Sequence, residues 1–218
     1  MNKSLIISAA VGLGVFMIPL AEAASKTVYD NATTAKDKNL FESVEFGDQI
    51  ILDTGFFYPS AKLDSFIFQY VGVNFSGDET ARIRFYKNDG LLGKPGTLVF
   101  DSEAFEIPEA LTGATVDLGD LGVVVVPQVF TWTIAFTGVE ASKGESAGLS
   151  LYGPPATGNG YSDYWARNGN DWALKTVPGV DGSFAALING TSVIPEPSTL
   201  ALSIAGLALL GMRSRRKL

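Results

Sequence analysis

Alternation of apolar and polar positions dominates the middle of the chain. Phe66, Phe68 and Tyr70 alternate with Ile67, Gln69 and Val71, and Ala81, Ile83 and Phe85 alternate with Arg82, Arg84 and Tyr86. The clearest run spans Val129 to Thr137, where Phe130, Trp132, Ile134 and Phe136 share one side and Thr131, Thr133 and Thr137 the other. Successive side chains of a strand point to opposite faces, so a period of two predicts half-buried strands with one face on a core and one on water. Turn signals separate the runs at Asn88-Asp89-Gly90, Lys94-Pro95-Gly96, Thr112-Gly113, Thr137-Gly138, Gly153-Pro154-Pro155, Asn168-Gly169 and Asp181-Gly182. Eight or nine short strands without long crossovers predict an all-β fold, an antiparallel two-layer sandwich or jelly roll, with a closed barrel as the main rival. Residues 54–192 form this domain. Residues 24–53 show few periodic apolar positions and read as an irregular lead-in with one edge strand near Asp48 to Leu52.

Both ends depart from this pattern. Residues 1–23 combine a basic start at Lys3, an apolar stretch from Leu5 to Leu20, and small residues at Ala21 and Ala23. That order reads as a signal peptide forming a short helix, cut after Ala23 by signal peptidase once the general secretion machinery has engaged it. Residues 193–218 begin with Pro195-Glu196-Pro197, continue through an apolar run from Leu200 to Met212, and end in Arg213, Arg215, Arg216 and Lys217. A helix of that run rises about 1.5 Å per residue, roughly 20 Å in all, short of the ~30 Å hydrocarbon core, which suits a transient anchor in the inner membrane better than a permanent span. The basic cluster would stay on the cytoplasmic side, leaving the Pro-Glu-Pro segment outside. Proline lacks an amide hydrogen and biases its predecessor toward extended backbone, so the tripeptide stays out of the helix and open to a processing enzyme.

Composition narrows the chemistry. Among 218 residues there is no cysteine and no histidine, which removes disulfides, thiol nucleophiles, Cys/His zinc sites and imidazole-based triads. An exported chain without disulfides must be held by its core alone. Residues 24–194 carry 11 basic and 21 acidic residues, net −10, a surface that repels phosphate backbones and argues against nucleic-acid partners.

The last 25 or so residues, with Pro195-Glu196-Pro197-Ser198-Thr199, the apolar run and the Arg-rich end, resemble the PEP-CTERM sorting domain. The resemblance implies recognition by an exosortase, a membrane protease-transferase that cleaves near the tripeptide, followed by passage to the cell surface or extracellular matrix. It also implies a link to exopolysaccharide and biofilm. FYKNDGLLGKPGTLVFDS, the Trp132 strand, AGLSLYGPP and SFAALING resemble β-sandwich domains that recur in PEP-CTERM surface proteins, a class with no settled activity to carry over.

The candidate chemistry in the domain is sparse. No Gly-x-Ser-x-Gly motif is present, a serine–lysine dyad stays open, and Asp101, Glu103 and Glu106 are acids on a β-rich stretch, so the expectation is a protein that is not an enzyme. Asn88 and Asp89 are the first candidates for a calcium site, in competition with ordinary turn chemistry; no other cofactor is expected. Tyr161, Tyr164, Trp165 and Trp172 lie beside Asp163, Arg167, Asn168, Asn170 and Asp171, a composition that suits a shallow glycan site and exopolysaccharide as its partner. Trp165 and Trp172 serve equally as sandwich-core anchors, which would leave Tyr161 and Tyr164 as the exposed pair.

Overall fold

The computed structural model describes residues 24–55, 59–121, 123–179 and 182–193. The signal cleavage residues Ala21 and Ala23, the motif Pro195-Glu196-Pro197, the basic tail and both expected terminal helices lie outside the described residues. In chain order the strands are β1 (Lys26–Asp30), β2 (Lys36–Phe41), β3 (Phe46–Ile51), β4 (Ser60–Val73), β5 (Thr80–Lys87) and β6 (Leu98–Asp101). β7 (Phe105–Glu106), β8 (Ala110–Asp117), β9 (Val125–Pro127), β10 (Val129–Thr137) and β11 (Ser146–Tyr152) follow. The last are β12 (Asn159–Gly160), β13 (Asp163–Asn168), β14 (Asp171–Thr176), β15 (Ser183–Phe184) and β16 (Ala186–Val193).

They form two antiparallel sheets. The first has the order β1-β16-β4-β11-β15, with β2 on β11 and both β8 and β9 on β4; the second runs β14-β13-β3-β10-β5-β6, with β12 on β3 and β7 on β5. β4 organises the first sheet because its 14 residues are long enough to take β16 and then β11 along one edge, β9 and then β8 along the other. The inner faces meet through aromatic rings. Phe66 of β4 lies 5.0 Å from Phe85 and 5.1 Å from Trp132, and Phe184 of β15 lies 5.4 Å from Phe46. Edge-to-face and tilted rings at these spacings add about 0.5–1.5 kcal/mol per pair beyond the area they bury. The two-layer sandwich is therefore the fold, and the Val129 to Thr137 strand has the bounds that its alternation predicts.

Two expectations change. Residues 24–53 are no irregular lead-in: they carry β1, β2 and β3, and β3 sits inside the second sheet between β13 and β10. Its inward positions alternate Phe46, Asp48 and Ile50, so a buried carboxylate interrupts the apolar period that would have marked a central strand. Thr131 and Thr133, expected on a wet face, are buried. The period of two assigns them correctly to the outer face of the second sheet but says nothing about what covers that face. The strand count also exceeds eight or nine, because pairings as short as β7, β12 and β15 leave no periodicity to read.

Candidate functional site

The outer face of the second sheet is the most heavily furnished surface of the domain. On β13 the alternation sends Trp165 and Arg167 outward while Tyr164 and Ala166 join the inner core. Trp165, Trp172 and Tyr86 form a small cluster separate from that core. Tyr86 meets Trp172 edge-to-face at 5.5 Å, and the Arg167 guanidinium stands 5.5 Å from the Trp172 ring centroid. The register puts Gly47 between Trp165 and Thr133. A Cβ at Gly47 would fall 1.9 Å from the Trp132 carbonyl oxygen, so only glycine fits there, and the row carries no side chain at its centre.

Beside this gap lies Glu45, from the turn before β3. Its Oε1 accepts hydrogen bonds from the Tyr86 hydroxyl at 3.0 Å and Thr133 Oγ1 at 2.8 Å, and its Oε2 from Arg84 at 2.8 Å and Arg167 at 3.2 Å. Asp101 of β6 pairs with Arg84 at 3.1 Å and with Arg82. Burial, reinforced by the Glu45 charge, pushes the Tyr86 phenol up to about 12. Lys94 reaches across to Asp171 at 2.8 Å, and this ammonium with the Trp172 amide holds the Asp171 carboxyl below its ordinary range. The arrangement is internally satisfied: the arginines are matched by carboxylates, and the indoles are covered by Tyr86 and Arg167. It clamps β5, β3 and the β13–β14 hairpin together.

The sequence candidates therefore separate. Trp165 and Trp172 come together, but at 6% and 8% exposure they present no free face for a sugar to stack on. Tyr164, expected exposed, is buried, because it is one residue out of phase with Trp165 on the same strand; its hydroxyl donates to Glu42 Oε1 at 2.6 Å. Tyr161, 41% exposed, keeps the open position expected of it. Asp89 accepts the Thr97 amide on one oxygen and the Thr97 hydroxyl on the other, both at 2.7 Å, and the amide bond comes first in lowering its carboxyl below the ordinary range. Asn88 donates to Gln49, Thr131 and the Gly93 carbonyl. Both act as turn residues, and among the described residues no group of three or more acidic side chains gathers to hold a metal ion. Arg167 was among the residues expected beside the aromatics, but Glu45 and its pairing with Arg84 and Arg167 were not, because these partners are 39 and 122 positions apart and are brought together by strand register rather than by any local spacing.

A second polar centre is buried between the sheets. Asp48 is fully enclosed; its Oδ2 accepts the Phe184 amide at 3.1 Å, while its Oδ1 has no partner among the described residues. Burial pushes this carboxyl well above the usual range, the Asp163 charge adds to the rise, and the Phe184 amide opposes it. A carboxyl whose folded pKa is raised keeps its proton in the native state where the unfolded chain has released it. Its contribution is thus most favourable below the unfolded value of about 3.9 and is lost as pH rises through the folded value. Asp48→Asn keeps an acceptor for Phe184 and removes the charge. Melting curves should place the variant level with the parent in acid and several degrees above it at neutral and alkaline pH. A gap independent of pH would refute the assignment.

The chain is thus a β-sandwich whose last strand, β16, leads directly into a separate C-terminal signal. Residues 193–217 match the family model of the PEP-CTERM protein-sorting motif. The motif marks an exported protein that is held at the membrane before processing, with an exosortase as the processing partner. No curated protein and no solved structure matches the chain.

Proposed function

We propose that this chain is a non-enzymatic structural or adhesive component of the cell surface or extracellular matrix, associated with exopolysaccharide in a biofilm. The carrying observation is the sorting motif placed directly after β16, which makes the whole sandwich its cargo. Two features of the domain support the reading. The polar groups of its most elaborate surface are committed to one another, as in a rigid scaffold, and the acidic body favours solubility outside the cell over attachment to anionic polymers. The apolar tail holds the precursor at the inner membrane, the exosortase cuts near Pro195 to Pro197, and the domain passes outward.

The test is the C-terminal mass of the protein from cells with and without the exosortase, combined with its partition between membrane and matrix. Loss of Leu200 to Leu218 only when the enzyme is present, with the product in the matrix, is the expected result. An intact tail on most surface copies in both strains would sink the reading.

A further inference from the structure

The loop joining β5 to β6 presents Leu91 and Leu92 to solvent at 81% and 87% exposure. Single exposed leucines are ordinary; two adjacent ones on a rigid support are not. The support here is explicit. Asp89 clasps Thr97 through two hydrogen bonds, the Gly90 amide donates to the Lys94 carbonyl at 3.1 Å, and the Gly96 amide donates to the Lys87 carbonyl at 2.8 Å. Lys94 is tied in turn to Asp171 on the neighbouring hairpin. Leu92 itself adopts φ 59° and ψ 29°, a left-handed conformation that a bulky side chain rarely enters and that persists only where its surroundings enforce it.

The register shows where this loop departs. Val193, the last described residue before the apolar tail, pairs with Ser60, and Ser60 pairs on its other edge with Pro127. Two residues on, Val129 pairs with Ile51, and Phe130 pairs with Lys87, from which the loop departs. Asp89, Gly93, Pro127 and Val129 line one open cleft. The chain therefore leaves for the membrane from the same end of the sandwich at which the loop carrying Leu91 and Leu92 departs from β5. Only six residues lie between Val193 and the apolar run at Leu200, at most about 25 Å of extended chain, so that end is confined close to the bilayer. A tether this short converts a weak surface contact into an effectively intramolecular one.

We propose that Leu91 and Leu92 seat in the outward-facing leaflet of the membrane that holds the precursor, giving the domain a second lipid contact that fixes its orientation and presents the Pro-Glu-Pro segment at a constant height. The proposal rests on the membrane-held precursor described above and specifies how it is held. The chain has no cysteine, so a single one can be introduced for an environment-sensitive fluorophore. Leu92→Cys is the probe. Leu111→Cys is the control, since Leu111 is 62% exposed but follows Ala110, which pairs with Gly72 at the other end of β4.

The full chain is reconstituted into phosphatidylethanolamine–phosphatidylglycerol vesicles containing a spin-labelled lipid. The expected result is a blue shift and loss of most emission at position 92, with position 111 unchanged. Equal behaviour of the two labels on a co-sedimenting chain would overturn the lipid contact while leaving the tether standing. Shielding at position 92 only when exosortase is co-reconstituted would overturn it in favour of a protein partner. Failure of the chain to co-sediment would remove the tethered state itself, and the proposal with it.

Discussion

Trp132→Ala is expected to cost about 3–5 kcal/mol, the range for emptying a large aromatic site that cannot collapse, and to lower the melting temperature by roughly 10 °C. Trp132 is fully buried at the centre of the second sheet and touches both layers, with Phe66 at 5.1 Å, Phe68 at 6.2 Å and Phe184 at 6.2 Å. Phe66 and Phe68 belong to β4 and Phe184 to β15, strands held by the pairings of the first sheet, so none of the rings can move far into the vacated space. The indole Nε1 has no hydrogen-bond partner among the described residues. Trp132→Phe therefore removes an unpaired polar group together with part of the ring, and should retain most of the stability that the alanine variant loses. Thermal or urea unfolding of the two variants checks this. Equal losses would show that the packing of the indole is not what matters, and a loss no larger than that of the exposed Leu111→Ala would refute the central role of the site.

Glu45→Ala should be the most damaging change on the outer face, by about 2–4 kcal/mol, because it strands two arginines and two hydroxyls at once. Removing one partner of a buried pair leaves the other charge unmatched, and the Arg84 side chain is only 20% exposed. Arg84 retains Asp101, and Arg167 is more open to water, which keeps the loss below the upper end for enclosed pairs. Glu45→Gln preserves shape and one acceptor and should fall between parent and alanine variant. A second readout separates the ion network from simple packing. With the charge gone, Tyr86 should titrate below its value of about 12, yet above an ordinary tyrosine because its burial, the larger cause, remains. An ultraviolet titration taken as the difference from Tyr86→Phe isolates this phenol, and an unmoved midpoint would show that Glu45 does not act on it.

How much of this was legible in the sequence depends on which contacts the chain writes locally. β10 was readable to its end residues because its inward side is uniformly apolar, and the sorting motif was readable because its three parts follow one another in order. β3 was not, since Asp48 takes an inward position that a strand of this type normally gives to an apolar residue. The aromatic group around Trp165 was visible as composition, but only the phase of β13 reveals that Tyr164 and Trp165 face opposite layers. The covering of Thr131 and Thr133 depends on Asn88 from the loop after β5 and Glu45 from the turn before β3, and no window of sequence contains that information.

The pairing of β16 between β1 and β4 also sets an order of events during export. β1 emerges first, yet its strand neighbour is the last element of the domain, with Thr27 opposite Asn189. Until β16 arrives, β1 lacks its strand partner in the first sheet and one flank of β4 stands open, so the sheet cannot close on a partly translocated chain. The residues that complete it are those immediately preceding the sorting motif. Native closure and delivery of the processing signal therefore fall at the same moment of translocation, and a chain stalled short of it would offer chaperones and proteases an unfinished sheet.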